Sequence, residues 1–105
     1  MIQFKKGVDR LPLQPVMHMA LSRVEEIYNA YGYSAVVTST NDGKHMEGSL
    51  HYVGLAADFR IKHIEEALVS EIFEKIVDLL TSISPCFQCI LENTHIHVEF
   101  DRRKS

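Results

Sequence analysis

Three things are scarce in this chain of 105 residues. It has no apolar run approaching the roughly 18–20 residues that a membrane-spanning helix needs, so no membrane is expected among its partners. It has no cationic excess. Its 11 Lys and Arg stand against 14 Asp and Glu, a formal net charge of -3, and that balance gives no electrostatic reason to expect a nucleic acid. It has only two cysteines, Cys86 and Cys89. A lone C-x-x-C is a weak signal for a redox pair or half a structural zinc site, and residues three apart on a strand face opposite ways, so the pair reads as two buried or half-buried thiols. A secretory leader is not read either: Lys5 and Lys6 are followed by Gly7-Val-Asp-Arg-Leu-Pro12 instead of roughly seven or more apolar residues. The expectation is a cytoplasmic protein as synthesised.

What is present is the composition of one globular domain spanning residues 1–105, with 46% hydrophobic and 24% charged residues and a modest core. Residues 1–12 read as an irregular or short extended arm. Pro15 suits a first helical turn. Val16, Ala20, Val24, Ile27 and Tyr31, widened by Met17, Leu21 and Tyr28, predict an amphipathic helix that stops at Gly32. Ser34 to Thr38 predicts a short strand, and Asn41-Asp-Gly43 a turn. Ile64, Leu68, Ile72, Ile76 and Leu80 predict a second helix over 64–81, with Glu65, Glu66, Glu71, Glu74 and Asp78 on its solvated side. Phe87 to Leu91 and His95 to Phe100 predict two further strands joined by a tight turn at Glu92-Asn-Thr94. The basic residues after Asp101 read as a solvated tail, His18 as a surface or boundary residue, and His63 as structural. The fold class that follows is α+β: a small, mainly antiparallel sheet with two helices on its apolar face.

The chemistry concentrates in two stretches, Asp42-Gly-Lys-His45-Met-Glu-Gly-Ser49-Leu-His51-Tyr-Val-Gly54-Leu-Ala56-Ala-Asp58 and Thr94-His95-Ile96-His97-Val98. If Leu55 to Ile61 is a strand, Leu55, Ala57, Phe59 and Ile61 share the core face, while Ala56, Asp58 and Arg60 share the other. The last strand divides the same way, with Ile96, Val98 and Phe100 opposite His95, His97 and Glu99. Two such strands in one sheet bring Asp58 to His97, with His51 closing over them from the loop. Three protein ligands with a fourth position left for water is the pattern of catalytic zinc, and His51, Asp58 and His97 match that count. Gly54 lets the backbone turn out of the loop, and Ala56 keeps the approach to the metal open.

Ser49-x-His51-x-x-Gly54-x-Ala56-x-Asp58 followed by His95-x-His97 resembles the zinc D-alanyl-D-alanine carboxypeptidase and L-alanyl-D-glutamate endopeptidase family. The wording Asp42-Gly-x-His45-x-x-x-Ser49-Leu-His51-Tyr is similar to the hedgehog signalling domain and its bacterial or phage relatives. The resemblance implies the same α+β architecture with a zinc site on the sheet face away from the helices. It implies His51, Asp58 and His97 as zinc ligands, His95 beside the metal as an oxyanion contact, and His45 as an oxyanion or substrate contact. It also implies peptidoglycan stem peptides as substrate, and release at host lysis if the chain is phage-encoded.

A zinc-activated water needs a carboxylate to take its proton. Glu92 is favoured by the family's placing of a glutamate ahead of the second zinc histidine, and Glu99 is favoured by strand parity. Ser49 reads as a hydrogen-bonding residue around the ligands rather than a nucleophile. Arg60 shares the Asp58 face and either receives a substrate carboxylate or pairs with Glu99. Carboxypeptidases of this family often carry an arginine in the loop where Asn41-Asp-Gly-Lys44 has none, so carboxypeptidase and endopeptidase action both stay open. So does the hedgehog-like alternative, a non-catalytic, zinc-stabilised binding module.

Overall fold

The computed structural model describes residues 2–40 and 50–104, without the side chains of His51 and Tyr52. In chain order the elements are β1 (Gln3–Phe4), α1 (Pro15–Ala30), β2 (Val36–Ser39), a 3₁₀ turn (Leu50–Val53), β3 (Ala56–Arg60), α2 (Glu66–Ile83), β4 (Phe87–Leu91) and β5 (His95–Phe100). Among the described residues they build one five-stranded sheet in the order β1-β2-β3-β5-β4, parallel only between β1 and β2. Both helices lie on one face of it. Met17, Leu21, Val24 and Tyr28 from α1 and Ile72, Ile76 and Leu80 from α2 meet Val37, Ala57, Phe59, Ile96 and Val98 in a single core. The fold is α+β, as the periodicities predict.

Several boundaries differ from expectation, each for a local reason. The N-terminal arm is a strand at Gln3–Phe4, because Gln3 N–H donates to Ala35 O and Lys5 N–H to Val37 O, both at 2.8 Å. A two-residue edge strand carries no readable alternation. The buried stripe of α1 is centred on Met17, Leu21, Val24 and Tyr28, while Val16 and Tyr31 are only partly covered. Helix α2 starts at Glu66 because Ile64 is drawn into a turn, its N–H bonded to Ile61 O at 3.0 Å, and it runs on to Ile83. Gly32, at φ 84°, ends α1 as read.

The Asp58 face of β3, read as the face away from the core, is itself covered: Ala56 is fully buried and Asp58 only 7% exposed. A central strand has neighbours on both sides, and the 3₁₀ turn packs against β3 and β5.

Nor is the C-terminal segment merely solvated. Asp101 N–H donates to Cys86 O at 2.8 Å, and the Arg103 guanidinium grips the Asp101 carboxylate through Nε at 2.8 Å and Nη2 at 2.9 Å. Arg102 donates to Gln14 Oε1 at 3.0 Å. The hydrogen bonds from Arg103 hold the Asp101 carboxyl down to about 2. A depressed carboxyl stabilises the fold above the unfolded-state pKa, near 3.9, and that contribution is lost as pH falls through about 2. Asp101→Asn is therefore expected to lower the melting temperature at pH 7. The difference from the parent shrinks between about pH 4 and 2, which acid titration of both proteins by circular dichroism checks.

The phenol of Tyr28, fully buried under β3, donates to Arg60 O at 2.8 Å, and burial pushes its pKa up. Tyr28→Phe keeps the ring and strands that carbonyl. It should cost about 1–2 kcal/mol in urea unfolding, and an unchanged midpoint would remove the bond from the account of how α1 is pinned to the sheet.

Candidate metal centre

β3 and β5 pair with Asp58 opposite His97, Arg60 opposite His95 and Ala56 opposite Glu99. This register puts the polar residues of both strands on the face away from the helices. It follows from Ala57, Phe59, Ile96 and Val98 all entering the core, since a slip of one residue would bury the histidines and expose the aliphatic set.

Asp58 Oδ1 lies 2.9 Å from His97 Nδ1, and Glu99 Oε1 lies 2.8 Å from His97 Nε2. His95 Nε2 stands 3.8 Å from Asp58 Oδ2, and its Nδ1 is 2.9 Å from Thr94 Oγ1. With an acceptor at each ring nitrogen, His97 donates from both, which requires the imidazolium. Burial pulls its pKa down, but the hydrogen bonds to Asp58 and Glu99, together with their charges, outweigh that and raise it. The arrangement is an imidazole held between two carboxylates in a nearly closed position, with side-chain exposures of 15% for His97 and 10% for Asp58.

Asp58, His95, His97 and Glu99 are thus brought together. Glu92 is not. It sits exposed in the β4–β5 turn, its N–H bonded to His95 O at 2.9 Å, and lines a separate groove with Ile61, Ile64 and Val69 at the start of α2. Arg60 and Glu99 do not pair either, because the register sets them at opposite ends of β3. His45 and Ser49 lie outside the described residues, as do the Asn41-Asp-Gly43 turn and the side chain of His51. The backbone of His51 is in the 3₁₀ turn, at the end of the sheet where Glu99 and Phe100 lie, since Leu55 N–H donates to Leu50 O and Phe100 N–H to Leu55 O.

No family model, curated protein or solved structure matches the chain. The chemistry of the site therefore rests on its own residues. Among the described residues no three His, Cys, Asp or Glu side chains form a metal-holding group. Two do present a fitting edge. Ligand atoms about 2.0–2.1 Å from a tetrahedral zinc stand roughly 3.3 Å apart, and Asp58 Oδ1 and His97 Nδ1 are at 2.9 Å with a proton between them. A cation replacing that proton asks the two atoms to part by a few tenths of an ångström and the ring to turn, since tetrahedral ligation sets the metal off the line between them. Glu99 on the far ring nitrogen then has the place of the carboxylate that commonly orients a metal-binding histidine.

The other candidates fall elsewhere. His63 Nε2 bonds to Ser34 O at 2.7 Å, and its ring lies against Tyr28 and Tyr33, a structural role. Cys86 precedes β4 rather than lying on it, and both thiols are free and half-buried; burial and the nearby Glu99 push Cys89 up to about 11. What sequence reasoning missed is a group of cations beside the site. Lys62 stands in the turn after β3 and Lys5 just beyond β1, so their approach to Arg60 depends on tertiary structure.

Proposed function

We propose that the chain is a zinc metallopeptidase hydrolysing peptide bonds of peptidoglycan stem peptides. The observation that carries this reading is the cross-strand pair of Asp58 and His97, which comes from the two motif stretches that resemble the zinc carboxypeptidase and endopeptidase family. Asp58 and His97 would hold the metal, with His51 as third ligand from the 3₁₀ turn. Zinc, when bound, supplies a water acidified toward neutrality and a Lewis acid for the scissile carbonyl.

The chain's own residues do the remainder. Glu99 accepts from His97 Nε2 and so keeps Nδ1 turned toward Asp58. Engaged in this way, Glu99 acts as a positioning residue. His95 adjoins the pair without being bonded to Asp58, and is placed to donate to a developing oxyanion or to the departing amine. Glu92 takes the water's proton only if the β4–β5 turn rearranges toward Asp58.

That last condition favours a second reading from another class, a zinc-stabilised binding module without turnover. The two readings separate in one experiment. Zinc-loaded protein is incubated with crosslinked and uncrosslinked muropeptides, and the products are weighed by mass spectrometry. Loss of a terminal residue marks a carboxypeptidase, and an internal cut an endopeptidase. Stoichiometric zinc with intact muropeptides supports the binding module. Absence of bound zinc rejects both.

A further inference from the structure

The sheet has two edges, and only one of them is blunted. At β1 the edge is two residues long and runs straight into Lys5 and Lys6, a length and a charge that discourage a further strand. At β4 it is five residues, Phe87-Gln-Cys-Ile-Leu91, with no charge, no proline and no break in its register with β5. The alternation of hydrogen bonds fixes which backbone groups this strand leaves open. Asp101 N–H donates to Cys86 O and Glu92 N–H to His95 O, so the even-numbered residues from Cys86 to Glu92 spend their backbone groups on β5. Phe87, Cys89 and Leu91 therefore turn their carbonyls to the free edge, and Cys89 and Leu91 their N–H groups as well; Phe87 N–H is taken by Ser84 O at 3.3 Å. Among the described residues no strand pairs there.

Apolar surface gathers at the same edge. Of the five large hydrophobic side chains exposed among the described residues, Ile90 and Leu91 are on β4, and Ile83 ends the helix that leads into it. Leu91 also borders a groove of about 520 Å³ with Ile61, Ile64 and Val69. A second copy of this chain meets all of these features at once. Laid antiparallel about a two-fold axis at Cys89, β4 opposes Cys89 to Cys89 and Phe87 to Leu91 of the other copy, so that outward donors meet outward acceptors. The strand brings no like charges against itself, and the nearest carboxylate, Glu92, falls opposite Cys86. The same register carries each copy's exposed Pro85, with Ile83 behind it, alongside Asn93 at the groove of the other. We propose that the chain forms a homodimer through β4, joining two five-stranded sheets into a continuous one. An extended peptide from another protein would satisfy the same backbone groups, but the groove and an apolar corner to lie against it are both present on this chain.

Sedimentation velocity of the full chain between about 1 μM and 1 mM should show the mass rising from the 12.0 kDa of one chain to twice that. Amide hydrogen exchange, read by NMR over the same range, locates the interface. The N–H groups of Cys89 and Leu91 should exchange at least tenfold more slowly in the dimer, while those of Gln88 and Ile90, already bonded to β5, change less. Leu91→Pro removes an outward N–H and no ladder bond within the chain, and should weaken the dimer at least tenfold. Ile90→Lys charges the same edge from an exposed position and should do likewise; it decides the matter if the proline variant does not fold. A chain still monomeric at about 1 mM overturns the proposal and leaves the edge to an extended segment of another protein. A dimer as tight as the parent's in Ile90→Lys or in folded Leu91→Pro also overturns it. So does a dimer in which exchange at Cys89 and Leu91 is unchanged, which puts the interface elsewhere.

Discussion

His97→Ala is expected to abolish stoichiometric zinc binding and, with it, hydrolysis. Among the described residues the imidazole is bonded to both Asp58 and Glu99, so truncation removes a proposed ligand and leaves two carboxylates facing each other across the space it filled. Loss of a partner outside the ligand set already costs roughly 10–100-fold in affinity or activity, and loss of a ligand should exceed that. The metal-free fold should suffer as well, by about 3 kcal/mol, because Asp58 is nearly buried and loses a charged partner. Asp58→Asn separates the two effects, since the amide still accepts from His97 but is a poor zinc ligand. Metal content by elemental analysis, read beside a urea melt, gives both quantities. A His97→Ala chain that retains one zinc per molecule would remove Asp58 and His97 from the metal site.

Gly54→Ala should be strongly destabilising although it lies outside the proposed ligands. Gly54 has φ 74°, and a Cβ there would stand 2.1 Å from Pro12 O and 3.3 Å from Gln14 N. The segment it would strike is also bonded to it: Gln14 N–H donates to Gly54 O at 2.9 Å, and Gln14 Nε2 to Val53 O at 2.7 Å. The left-handed backbone alone costs about 1–2 kcal/mol for an L-residue, and the forced shift of Pro12–Gln14 adds about 1–3 kcal/mol. Gly32→Ala is the control. Its φ is 84°, but nothing lies within 4 Å of the added carbon, so only the backbone cost should appear. Equal losses for the two variants would mean that the Pro12 contact is relieved without strain. Because Gly54 joins the turn carrying His51 to the strand carrying Asp58, its loss should also weaken zinc binding in whatever protein remains folded.

Much of the fold was legible in the residues themselves. Strands β4 and β5 have the predicted limits, and strict alternation in His95–Phe100 leaves one register that buries Ile96 and Val98. The solvated carboxylates of α2 and the stop at Gly32 follow from helical periodicity and from a φ that glycine tolerates. The meeting of Asp58 and His97 was also open to sequence reasoning, since two strands of one sheet with matched parity have few ways to pair.

The sequence by itself thus determined which face Asp58, Arg60, His95, His97 and Glu99 occupy, because side-chain direction on a strand is a local property of the backbone. Tertiary structure alone decided what stands beside what. Glu99 rather than Glu92 meets His97, because the β4–β5 turn carries Glu92 away to the start of α2. Asp58 is nearly buried although it lies away from the core face, because β3 runs through the middle of the sheet and the 3₁₀ turn packs against it. Lys5, some fifty residues from Arg60 along the chain, joins it at one cavity because two residues of an N-terminal arm add to the edge of β2. Such neighbours depend on strand order and on the path of loops, which pairwise alternation does not encode.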